Sequence, residues 1–137
     1  MKPVLTPQAA LIYVMVIQSA SDADMSDAEL HLIGEIVKTL PVFAPFDPSA
    51  LIAVARECAA ILGEPQGLEQ ALILVAEALP HHLRETAYVI ALDVAMTKGP
   101  VQIEEMRILD RLRHALELDR LVAAAIERSA IARFASA

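Results

Sequence analysis

The chain has no tryptophan, a single cysteine and only four glycines among its 137 residues. Each scarcity removes a class of protein. With Cys58 alone, neither an internal disulfide nor a thiolate metal cluster can form. So few glycines leave no phosphate-cradling loop, and no Ser–His–Asp or Cys–His arrangement is indicated either, so the chain reads as a non-enzyme. Aromatic residues are limited to three Phe and two Tyr, and the β-branched clusters bounded by turn signals that mark strands are missing. Basic residues are the minority, 11 against 18 acidic, for a net charge of −7. Without a basic stripe there is no footprint for nucleic acid. Long apolar runs are lacking too: the longest strictly apolar stretch, 9–17, is far short of the roughly 20 residues of a membrane span.

What is present is aliphatic. Hydrophobic residues make up 56% of the chain and the mean hydropathy is +0.50, much of it from alanine, a strong helix former. Leu, Ile, Val and Met must fill the core, which suits packed helices. The expected fold is all-α, a compact bundle of about seven helices forming one domain over 1–137. Thr6-Pro7 pairs an N-cap with proline at the first helical position and opens a helix to about Ala20. Ser26-Asp27-Ala28-Glu29 is a capping box for the second helix, which ends before Pro41. Asp47-Pro48 opens a third, closed by Gly63 and Pro65, and a fourth runs from about Gln66 to Leu79. Pro80 starts or kinks the fifth, which reaches about Thr97. Gly99-Pro100 breaks the chain before a sixth over 102–116, and Asp119 caps the last.

The apolar spacing agrees. Leu83, Ala87, Ile90, Ala91 and Val94 form one stripe, and Met106, Leu109, Leu112 and Leu116 another. The first helix is apolar nearly all round and is expected at the centre. Cys58 falls in an apolar run and reads as an inert core thiol. Phe43 and Phe46, between prolines in 41–46, either form a lid over the core or an exposed contact. His81-His82 read as a solvated helix end and Asp110–His114 as an exposed pair. A transition-metal role for His31 would need Glu29 or Asp27 close by.

Residues 13–40 superpose on 89–116 at a constant offset of 76 (89 − 13). Val14 then meets Ile90, Ile33 meets Leu109, Ile36 meets Leu112 and Leu40 meets Leu116, while Glu29 meets Glu105. An internal duplication of a helix–acidic loop–helix unit follows, with halves at about 7–40 and 83–116. Because the first apolar helix belongs to that repeat, it reads as structure and not as a leader, and the chain as cytoplasmic.

The first loop, Ser21-Asp22-Ala23-Asp24-Met25-Ser26-Asp27-Ala28-Glu29, offers hard oxygen donors of the kind Ca²⁺ or Mg²⁺ takes. It is no EF-hand: counted from Asp22, Asp27 occupies the glycine place and Ile33 that of the bidentate Glu. The same acids serve equally as helix caps at the positive end of a dipole.

This pattern resembles the tellurite-resistance TerB family, whose hallmark is an apolar helix ending in Ala-x-Asp-Gly-x-apolar-Ser/Thr-x-x-Glu before an amphipathic helix. The first copy here reads Ala20-Ser21-Asp22-Ala23-Asp24-Met25-Ser26-Asp27-Ala28-Glu29. The second reads Met96-Thr97-Lys98-Gly99-Pro100-Val101-Gln102-Ile103-Glu104-Glu105. The resemblance implies a cytoplasmic, non-enzymatic protein of metal or tellurite stress that binds a divalent cation and works with protein partners. Carried over by position, the metal candidates are Asp22 and Glu29 in the first copy and Glu105 in the second, with Asp24 and Glu104 as neighbours. Ala23 departs from the family's Gly, and Lys98 stands where the second Asp belongs, where it could pair with Asp93. The alternative is a metal-independent interaction or scaffold module whose acidic loops are only caps. The apolar content is compatible with a homodimer in either case.

Overall fold

A computed structural model describes residues 5–19, 26–97 and 99–137, and among them all regular structure is helical. Seven α-helices follow in order: α1 (Pro7–Ser19), α2 (Asp27–Thr39), α3 (Leu51–Leu62), α4 (Gly67–Ala78), α5 (Arg84–Thr97), α6 (Ile103–Ala115) and α7 (Arg120–Arg133). Single 3-10 turns over Pro41–Phe43, Pro48–Ala50 and His81–Leu83 lie in the connections. Pro80 therefore ends one helix and precedes another; it does not kink a continuous one. None of the described helices is long and apolar enough to cross a membrane.

The ends are set by side chains that take up the free N–H groups of a first turn. Thr6 Oγ1 accepts from Ala9 N at 3.1 Å, Asp47 from Ser49 N at 3.0 Å and Asp119 from Leu121 N at 2.7 Å. At the end of α6, Glu117 adopts φ of 54°, and the Glu117 and Leu118 N–H groups turn back to the His114 and Arg113 carbonyls, each at 3.1 Å. That is a Schellman stop built without glycine. Gly67 is a glycine by necessity. A Cβ there would sit 1.9 Å from the Ile61 carbonyl oxygen, so the α3–α4 turn closes only over a bare backbone.

α1 occupies the centre. Every residue from Ala10 to Ser19 is buried, and α2, α3, α4, α5 and α6 all pack against it. Ala87, Ile90, Ala91 and Val94 of α5 face inward as the stripe requires, as do Leu109, Leu112 and Leu116. Met106 is the exception. It is 53% exposed, because the helix face that carries Leu109 and Leu112 inward turns Met106 toward an open groove described below. Phe43 is buried and meets the half-buried Phe46 edge to face, with ring centres 6.2 Å apart, so this segment is a lid over the core. The Cys58 thiol is fully buried, contacts the Tyr13 carbonyl oxygen at 3.8 Å, and is pushed up to about 12 by burial.

Arg84 begins α5 and holds two other helices by their carboxyl ends. Its Nη1 donates to the Leu116 carbonyl at 2.9 Å and its Nη2 to the Ala76 carbonyl at 3.2 Å. A planar fork carrying positive charge suits two converging negative helix ends.

Candidate functional site

Of the five predicted cation ligands, Asp22 and Asp24 lie outside the described residues, as does Lys98. The other three stand at the first turns of α2 and α6. In α2, Ser26 is the N-cap: its Oγ accepts from Glu29 N at 3.2 Å and donates to Glu29 Oε1 at 3.1 Å. In α6, Gln102 is the N-cap, and Glu105 Oε1 accepts from Gln102 N at 3.0 Å. Both aligned glutamates reach back over one turn to the N-cap residue, Glu105 to its backbone N–H and Glu29 to its side-chain hydroxyl. Glu104 is exposed and Glu105 buried, as expected of neighbours about 100° apart around a helix.

Beneath the α6 turn lies a polar group that the sequence reading passed over. Gln18, in the last turn of α1, is fully buried, and its Nε2 donates to the Glu105 backbone carbonyl at 3.1 Å. Its other atom, Oε1, has no hydrogen-bond partner among the described residues, and neither has Glu105 Oε2. Glu105 is only 5% exposed. Two acceptors are therefore buried on adjoining elements with no described residue donating to them, an unfavourable state for either group alone. The signal was present in the sequence, since Gln18 is the one amide within the buried stretch of this largely apolar helix.

Among the described residues, no three His, Cys, Asp or Glu side chains gather closely enough to hold a metal ion. His31 pairs with Glu35 on an exposed face at 3.9 Å, and His114 with Asp110. Asp93 accepts from Arg133, which ties α5 to α7; burial holds the Asp93 carboxyl above its ordinary range, partly opposed by that guanidinium.

A second polar group sits between α5, α6 and α7. Tyr88 Oη donates to Glu127 Oε2 at 2.5 Å, and Arg113 Nη2 donates to Asp110 Oδ1 at 3.0 Å. Burial, then the hydrogen bond and charge of Glu127, raise the Tyr88 phenol above its usual value. The signal for this pairing was weak, because its partners are far apart along the chain. Comparison with protein-family models, with curated proteins and with solved structures gives no match for this chain.

Proposed function

We propose that the chain is a TerB-like helical binding domain that takes a divalent cation, Ca²⁺ or Mg²⁺, and catalyses no reaction. The observation that carries this reading is the pair of buried oxygens, Gln18 Oε1 and Glu105 Oε2, that no described donor satisfies. An amide carbonyl and a carboxylate are the hard oxygen donors these ions prefer. A cation would also offset the charge of a carboxylate held out of water. Gln18 precedes Asp22 and Asp24 by a few residues in the sequence, and Glu105 closes the second loop with exposed Glu104 beside it.

An internal duplication would support the same reading. α1 packs on α5, and each also touches the other's partner helix, α1 with α6 and α2 with α5. Two related hairpins would make that reciprocal arrangement. On this reading Lys98 limits the second loop, and one cation serves the pair. A link to metal or tellurite stress, a cytoplasmic setting and a protein partner follow from the TerB resemblance, and a homodimer is compatible with the apolar surface.

The test is thermal unfolding of metal-stripped protein with added Ca²⁺, Mg²⁺, Mn²⁺ and Zn²⁺. An ion at about 100 times its dissociation constant adds ~2.7 kcal/mol, several degrees in a domain of this size. The rise should saturate for one ion and vanish in Asp22→Asn with Glu105→Gln. Should no ion raise the midpoint, the cation reading falls.

A metal-independent interaction module would then stand in its place. The Ser26 cap on Glu29 N and the capping box at Gln102–Glu105 favour it, since they give both glutamates a structural task.

A further inference from the structure

A groove of about 380 Å³ opens between α5, α6 and α7, toward the small end of the roughly 300–1,000 Å³ typical of ligand sites. Its two ends differ. Tyr88, Leu92 and Met96 succeed one another at intervals of four along α5 and give the floor a direction. At the Tyr88 end stand Asp110, Arg113 and Glu127; toward Met96 the lining is Val101, Met106 and Ile131. Met106 and Ile131 are 53% and 55% exposed, two large apolar side chains left in solvent on opposite walls of the same groove.

The charge at the polar end does not balance. Asp110 is neutralised by Arg113, 3.0 Å away, whereas Glu127 has for a partner only the uncharged Tyr88 hydroxyl, and among the described residues no ion pair includes it. One half-buried negative charge therefore heads an apolar trough, in a chain whose net charge is already −7. The complementary molecule has a cationic head and an apolar body. A volume this small suits a single compact molecule.

We propose that the groove between α5, α6 and α7 binds a small amphipathic amine, with its ammonium group against the Glu127 carboxylate and its apolar chain along Leu92, Met96, Met106 and Ile131. The Tyr88 hydroxyl orients the carboxylate by donating to one of its oxygens, and the ammonium takes the other face. This site is separate from Gln18 and Glu105 and does not depend on the cation reading.

Calorimetric titration of the whole chain with octylamine, octanoate and octanol, each as monomer below its aggregation limit, tests it. Octylamine should bind saturably at one site, at least about tenfold more tightly than octanoate or octanol, as one charge-assisted hydrogen bond allows. Glu127→Gln should remove that preference and leave amine and alcohol alike. Ile131→Lys places an ammonium one helical turn after Glu127, a favourable spacing, and should abolish amine binding while the thermal midpoint is kept or raised. Absence of octylamine binding, equal binding of octanoate, or unchanged amine affinity in both variants would each overturn the proposal. So would a concentration-dependent dimer that Ile131→Lys dissociates in a protein that takes no amine, since the occupant would then be a second copy of the chain.

Discussion

Gln18 donates its side-chain amide to the backbone carbonyl of Glu105 across 87 residues of sequence, at 3.1 Å and out of contact with water. The bond fixes the last turn of α1 against the first turn of α6, the two places where the acidic loops meet helices. Gln18→Met keeps the volume and removes the donor, and should cost about 1 kcal/mol in denaturant unfolding. Gln18→Glu aims a second acceptor, and a buried charge, at the same carbonyl and should cost about 3 kcal/mol or more. Equal stability of the two variants would mean that the amide makes no directed contribution.

Arg84 supports a second prediction. Its side chain is 18% exposed and its guanidinium bridges the ends of α4 and α6 through two backbone carbonyls, so its value lies in the fork and not in charge alone. Arg84→Lys should lose about 2 kcal/mol, since one ammonium cannot span both acceptors. The ion pair with Glu117, at 3.9 Å and with that carboxylate 83% exposed, adds little, so Glu117→Gln should leave stability nearly unchanged. Chemical denaturation of both variants separates the two contributions; a Lys variant as stable as the parent would refute the fork.

The buried thiol gives the protein an alkaline limit. Cys58 is raised from 9.0 to about 12 in the folded chain, so the unfolded chain loses this proton first. Stability from this group is complete below about 9 and falls as pH rises toward about 12, by at most ~1.4 kcal/mol per pH unit for one proton. Tyr13 and Tyr88, both raised from 10.0, steepen the decline at higher pH. Urea midpoints taken from neutral to alkaline pH should show the onset near pH 9, and Cys58→Ala should delay it to the tyrosine range. A thiol reagent should react in native conditions only as fast as the core opens.

Much of the fold was legible because helix ends are local chemistry. Ser26 with Glu29, Asp47 with Pro48, and Asp119 announce their caps within a few residues, and the observed helices start within a residue or a short 3-10 turn of those signals. The inward stripe of α5 was equally plain. Met106 was not, because periodicity assigns a residue to a face but not a neighbour to cover it, and no described element covers this part of the face. The site was less legible still. Glu29 and Glu105 were found by alignment, but their capping bonds are local whereas the Gln18 contact is long-range. The pairing of Tyr88 with Glu127 depends on how α7 lies along α5, which no short motif encodes.

A central helix without an outer face imposes an order on assembly. α1 precedes in the chain every helix that encloses it, and its last wall, α6, arrives only after α5 has been laid down. Until those walls have been laid down, a segment as apolar as residues 11–17 is exposed to association with other chains. Once closed, the relation is reversed. The amides of α1 can reach solvent only when the whole bundle comes apart, so a stretch exposed in the growing chain becomes the slowest to exchange in the finished molecule.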